Sequence, residues 1–269
     1  MSGGRIRRFA SSLPVAVALV GCGDATGPDG NGSDDDFEWS GTIAPGDQIE
    51  IKGVQGTITA SGTSAGQVEV SATKSGTQDD PADVTIEVVQ HSGGVTICAV
   101  YPDVPGQDPN ECLPGLQGNN STQNNDVQVA FTVSVPAGVV FVGRNVAGAV
   151  VANDLQSEAL LSTVAGNVSV ETTEIAEAVT VSGNVTASIG RADWGRDLEF
   201  GAVSGSIDVE VPSNTNAEVV AGTASGTITS DFPLTGPATQ KTGTLGSGGP
   251  TLTLGTVSGN ITLRSGPAS

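Results

Sequence analysis

Between Val127 and Leu263 one short pattern recurs: a small residue, a glycine, a polar residue, Val or Ile, another polar residue and an apolar one. Ala165-Gly166-Asn167-Val168-Ser169-Val170, Ser182-Gly183-Asn184-Val185-Thr186-Ala187, Ser204-Gly205-Ser206-Ile207-Asp208-Val209 and Ser258-Gly259-Asn260-Ile261-Thr262-Leu263 are full copies. Ser225-Gly226-Thr227-Ile228-Thr229-Ser230 ends on a polar residue, and Ala147-Gly148-Ala149-Val150-Val151 is degenerate. Gly148, Gly166, Gly183, Gly205 and Gly226 are 18, 17, 22 and 21 residues apart. A unit of about 20 residues holds two short strands and cannot bury its apolar side alone, so neighbouring units must stack. The upstream strand of each unit is marked by pairs such as Val179 and Val181, Leu198 and Phe200, or Leu252 and Leu254. The glycine lets the chain turn tightly where a side chain would clash. The last interval, Gly226 to Gly259, is 33 residues and encloses a Gly/Thr/Pro-rich excursion from Pro233 to Pro250, read as a loop inserted into a unit. The spacing predicts an all-β fold, a β-solenoid of the right-handed parallel β-helix kind with short strands and glycine turns.

Composition agrees with thin sheets. Aromatic residues make up 3% of the chain and there are 38 glycines, so the core must come from small β-branched side chains. From Trp39 to Val100 the apolar residues alternate in short runs, among them Ile49-Glu50-Ile51, Val68-Glu69-Val70 and Val84 to Val88, separated by Gly, Ser and Asp. Period two with such punctuation predicts strands and turns. Tyr101 to Asp126 carries four prolines with many Gly, Asn and Gln and reads as a long surface loop. The β-repeat domain is thus placed at 39–264, with a Cys-bearing loop at 98–126.

The first residues read as an export signal. Arg5, Arg7 and Arg8 precede an apolar stretch from Leu13 to Val20 that is too short to span a bilayer. It ends in Leu19-Val20-Gly21-Cys22, which resembles the lipobox of bacterial lipoproteins. The resemblance implies a leader at 1–21, acylation of Cys22 and a bilayer partner for the acyl chains. Gly23 stands where lipoproteins retained in an inner membrane commonly carry aspartate, which points to the outer membrane or cell surface. Residues 22–38, rich in Gly, Asp, Pro and Ser, read as a disordered acidic tether. The whole chain has a formal charge of −19; a leader holding three of the ten basic residues and no acidic ones would leave seven against 29, or −22. Such a polyanion repels nucleic acid, so the expected partners are an envelope or extracellular polymer or protein.

Taken together, the lipobox, the tether and the repeated glycine units resemble the bacterial β-strand-repeat family of "putative adhesin" proteins of unknown function. That family has no assigned active site, and the resemblance implies no catalytic residues and no cofactor.

The residues themselves offer little chemistry. Cys98 and Cys112 are the cysteines left beside Cys22 and, in an exported chain, predict a disulfide. Their spacing matches no zinc motif and His91 is the sole histidine, so no metal site is expected. His91 lies in a turn-like Ser92-Gly93-Gly94 context, a poor setting for a Ser-His-Asp triad. Asp193 and Asp197, with Trp194 between them, form the best candidate carbohydrate site, either a sugar platform or a turn between units. Asn167, Asn184, Ser206, Thr227 and Asn260, each following a repeat glycine, read as a ligand-binding row or as hydrogen-bonding between stacked turns. Thr57-Ile58-Thr59 and Thr227-Ile228-Thr229 stand at unrelated positions and predict no array. The sequence therefore points to a non-enzymatic structural or adhesive module, with a carbohydrate-binding or polysaccharide-cleaving solenoid as the alternative.

Overall fold

A computed structural model describes residues 36–269; the leader 1–21, Cys22 and the tether up to residue 35 lie outside the described residues. The first strands are β1 (Asp36–Gly41), β2 (Gln48–Lys52), β3 (Ile58–Thr63), β4 (Val68–Ser75), β5 (Thr85–His91), β6 (Gly94–Val100) and β7 (Gln128–Pro136). β2 to β6 contain the alternating runs of the sequence. Six glycine-centred units follow, each a strand, a turn and a second strand. They are β8 (Val140–Ala147) with β9 (Val150–Leu155), β10 (Ala159–Ala165) with β11 (Val168–Thr172), and β12 (Ala176–Ser182) with β13 (Val185–Ile189). The remaining three are β14 (Leu198–Ser204) with β15 (Ile207–Pro212), β16 (Ala217–Ser225) with β17 (Ile228–Ser230), and β19 (Thr251–Ser258) with β20 (Ile261–Gly266). The excursion before the last unit is not a plain loop. It forms β18 (Gln240–Leu245), which pairs antiparallel with β16.

The first strand of each unit joins one sheet and the second joins the other. Sheet A runs β1-β4-β7-β3-β9-β11-β13-β15-β20-β17, and sheet B runs β18-β16-β19-β14-β12-β10-β8-β2-β6-β5. This arrangement corrects the expected right-handed parallel β-helix. With only two strands per unit there is no third wall to close a helix, and both sheets end in free edges. Nor does the chain wind on steadily. The β19–β20 unit, last in sequence, sits between β14–β15 and β16–β17, while antiparallel strands flank the parallel stack at three of its four outer ends. The described residues form an open pair of sheets.

Alternation fixes which side chains meet between the sheets. Ile58, Val150, Val168, Val185, Ile207, Ile261 and Ile228 form one registered column across sheet A, each 5% exposed or less. On sheet B, large and small residues interlock, with Gly143 beside Leu161 and Ala178 beside Phe200. That register turns Val179 and Val181 outward, to 38% and 47% exposure, and brings Ala178 and Thr180 inward.

The repeat glycines stack directly on one another. Each leaves no room for a Cβ, because the carbonyl of the glycine in the neighbouring unit occupies that space: Gly166 meets Gly148, Gly183 meets Gly166, Gly205 meets Gly183, and Gly259 meets Gly205. These carbonyls point across the turn and find side-chain donors on the next sheet-B strand. Asn145 Nδ2 donates to Gly56 (2.8 Å), Thr163 Oγ1 to Gly148 (3.0 Å), and Thr180 Oγ1 to Gly166 (2.9 Å). Thr256 Oγ1 donates to Gly205 (2.9 Å) and Thr223 Oγ1 to Gly259 (2.9 Å). The register-equivalent residue on β14 is Ala202, which has no hydroxyl to offer Gly183. Ala202→Thr should therefore supply the missing donor and add about 1 kcal/mol of stability. A denaturant titration in which the variant unfolds at or below the wild-type midpoint would count against this ladder.

Candidate functional site

The residues singled out around Trp194 occupy the turn between β13 and β14. Trp194 is 6% exposed and belongs to the apolar core, so its rings offer no open face to a sugar. Asp193 and Asp197 are exposed and bonded within the fold: Asp193 Oδ1 accepts from Asn216 Nδ2 (3.0 Å), and Asp197 Oδ1 accepts from the Thr251 N–H (2.7 Å). The arginines of the same turn staple neighbouring units. Arg191 pairs with Glu174, and Arg196 reaches both Glu158 and Glu177. The turn thus ties successive units together.

Cys98 and Cys112 form a disulfide with Cα atoms 5.6 Å apart. It fastens the segment from Tyr101 to Asp126 as a strap over the outer side of sheet B. The alternation that sends Ile49 and Ile51 inward sends Glu50 outward, yet Glu50 is fully buried beneath the strap. Its carboxylate accepts from Arg144 Nε (2.8 Å), Thr96 Oγ1 (2.9 Å) and the Gly115 N–H (2.8 Å). Lys52 Nζ donates to the carbonyls of Leu113 (2.5 Å) and Gln117 (2.9 Å), holding the strap down. Burial lowers the Lys52 ammonium from its ordinary value, against the raising influence of Glu50. Tyr101 anchors the strap's start by donating to the Val127 carbonyl (2.6 Å), and burial pushes its phenol up to about 12. Sequence reading missed this polar cluster, since nothing in an alternating strand signals which outward residue a distant loop will cover.

His91 abuts the same cluster, with Nε2 3.2 Å from Thr96 Oγ1. Its Nδ1 accepts from the Gly93 N–H (3.2 Å), which leaves the proton of the neutral ring on Nε2. Nε2 then donates to Thr96, whose hydroxyl donates onward to Glu50. This polarity is the reverse of a base activating a nucleophile. Among the described residues, no group of three or more His, Cys, Asp or Glu is placed to hold a metal ion. The described residues form an all-β structural unit.

The outer side of sheet A is an ordered polar surface. One residue from each strand falls into a single registered row: Glu38, Ser71, Thr132, Thr59 and Val151, then Ser169, Thr186, Asp208, Thr262 and Thr229. Seven of these ten bear hydroxyls. At about 4.8 Å per strand the row extends for roughly 43 Å. A second row, Ser40, Glu69, Ser134, Ser61 and Asn153, runs beside its first half. The pairing shifts between β9 and β11, where Asp154 has φ 51°, and the row resumes as Glu171, Ser188, Glu210 and Arg264. Thr59 and Thr229, which stand at unrelated places in the chain, share the first row. Strand order, invisible in sequence, brings them together. The polar residues after each glycine do different work: Asn167 Oδ1 accepts from the Asn184 N–H and Asn184 Oδ1 from the Ser206 N–H, both at 2.9 Å. They link one turn to the next.

This architecture has a recognisable counterpart. Residues 147–264 match the family model described as Toastrack DUF4097. The match covers the stacked units from Gly148 onward, and with the free sheet edges it overturns the closed β-helix expected from the repeat. Two solved structures are similar over most of the chain. The "putative cell adhesion protein" of Clostridium sporogenes ATCC 15579 is 11% identical, covering 86% of this chain and 100% of that one, with a TM-score of 0.46. The "putative adhesin" of Bacteroides fragilis NCTC 9343 is 13% identical, covering 87% and 98%, with a TM-score of 0.36. No curated protein matches the chain.

Proposed function

We propose that this chain is an exported lipoprotein, held in the cell envelope through acylated Cys22, whose toastrack-like domain is an adhesive module. Its working surface is the outer side of sheet A, which contacts a polar polymer or protein of the envelope or its surroundings. The observation that carries this reading is the ten-strand row of hydroxyls and carboxylates. Each hydroxyl both donates and accepts, so a row repeating every strand engages an extended partner at many weak points at once. Five carboxylates stand in the two rows against the single cation of Arg264, a balance that supports a partner other than a polyanion such as nucleic acid. Lipid attachment rests on the Leu19-Val20-Gly21-Cys22 motif.

Binding to insoluble peptidoglycan and to immobilised extracellular polysaccharides and proteins tests the surface. The combined variant Thr59→Ala, Thr132→Ala, Thr186→Ala should lose retention at least tenfold while keeping the wild-type circular dichroism. Glu199→Gln, on the other sheet, should bind as before. Equal retention of the triple variant would remove the outer side of sheet A from the proposal. In a detergent phase-partition assay the wild-type chain should enter the detergent phase and Cys22→Ser should not; partitioning of both would remove the lipid anchor.

A further inference from the structure

Each sheet has two edges, and three of the four are guarded. β1 carries Asp36 and Glu38 and follows the acidic pair Asp34-Asp35 in the sequence. β17 is only three residues long. β18 bears Lys241, and the main chain of Thr235 exchanges both hydrogen bonds with Thr242 on its outer side (2.8 and 2.9 Å). Short strands, charges and covering segments are the usual means of keeping an edge from pairing with another chain. β5 is less guarded: it is seven residues long, contains no proline, lysine or bulge, carries the single acid Glu87, and among the described residues has no strand beyond it.

β5 also leaves a core position uncovered. Val88 pairs with Ile97 and so stands on the core side of sheet B, where Ile97 is fully buried. Val88 is nonetheless 36% exposed, because nothing continues the sheet past it. An eleventh strand would cover it. Val88 is the middle residue of β5, so an antiparallel copy of the same strand, related by a two-fold axis through Val88, pairs the full length of both. Glu87 then lies opposite Val89 of the second copy, Ile86 opposite Gln90, and Thr85 opposite His91. No like charges oppose each other, and Glu87 of each copy falls diagonal to His91 of the other, about 7–8 Å away. The edge can therefore pair with its own copy over its full length with no like charges opposed.

We propose that β5 is a self-association edge, through which two copies of this chain join their sheets across Val88. The partner is a second copy rather than an unrelated extended peptide, since the strand's own sequence satisfies the pairing from end to end. With a formal charge of −19 on each copy, long-range repulsion opposes the encounter, and the dimer fraction should rise with salt.

The test uses the full chain with Cys22→Ser, which removes the third thiol. By light scattering its mass should be that of two chains, and Val88→Lys, which sets two like charges on the axis, should return it to one without changing the unfolding transition. In the same background Val88→Cys places two thiols on residues whose Cα atoms are about 4.5–5.5 Å apart. Mild oxidation should give a reducible dimer as the main product, while Gln90→Cys, displaced along the strand from its own copy, should give little. A single-chain mass for the Cys22→Ser protein at all salt concentrations, or equal cross-linking at both positions, would overturn the proposal.

Discussion

Gly205→Ala should be among the most damaging single-methyl substitutions in this protein, lowering stability by about 4 kcal/mol or more. Two costs add. Gly205 has φ 151°, a conformation side-chain-bearing residues rarely adopt. Its Cβ would also fall inside the van der Waals radius of the Gly183 carbonyl oxygen, a main-chain atom that no rotamer change can move aside. Relief would require separating two paired units, with loss of the hydrogen bond from the Gly183 N–H to the Ser204 carbonyl (2.9 Å) and of that from the Ser206 N–H to Asn184 Oδ1 (2.9 Å). Gly222→Ala serves as the control, because a Cβ there meets nothing within 4 Å. Thermal unfolding of the two variants side by side checks the claim. Similar losses in both would mean that the glycine column is not what holds the turns together.

A second large effect is expected at Val185, and its neighbour sets the contrast. Val185 is fully buried between Val168 and Ile207 on the two flanking strands. Val185→Asp would place an unpaired charge among apolar side chains, at a cost of several kcal/mol, and should unfold the stack around it. Thr186, one residue on, faces outward beside Ser169 and Asp208, and Thr186→Lys should shift stability by no more than about 0.5 kcal/mol. Comparing their urea midpoints reads the register of sheet A directly. Comparable losses from both substitutions would show the register to be off by one.

The contrast between those neighbours was legible in the repeat itself, because period-two alternation at a fixed two-residue offset from the glycine leaves little choice of which side Val185 or Ile207 faces. The pair Val179 and Val181 marked its strand correctly but not the side each residue faces. The bulk of Phe200 requires Ala178 beside it, and the Gly166 carbonyl takes the hydroxyl of Thr180, so the two valines turn outward. Cross-strand fit outweighed hydrophobicity there. Period alone also could not separate a closed helix from two open sheets, since both stack short strands at the same interval. What distinguishes them is strand order, and that depends on contacts between residues as distant as Ser206 and Asn260. The hydroxyl row on sheet A was hidden for the same reason. So was the burial of Glu50, which depends on where a proline-rich segment with no periodicity of its own comes to rest.

The insertion of β19 and β20 between two earlier units has a bearing on how the chain is made. During synthesis from the amino end, the units through β15 can stack as they emerge, each finding its neighbour already in place. β16, β17 and β18 cannot follow suit, because their seat is against strands that are among the last to be translated. Until residues 251–266 are available, β14 and β15 keep open edges and the β16–β18 segment waits without its partner. The final stage of maturation is therefore a delayed, non-local closure, a stage at which a nascent polypeptide is exposed to mispairing and to proteases. Under the export proposed above, such a chain would gain from crossing the membrane unfolded and completing its last pairings only once the whole chain has been delivered.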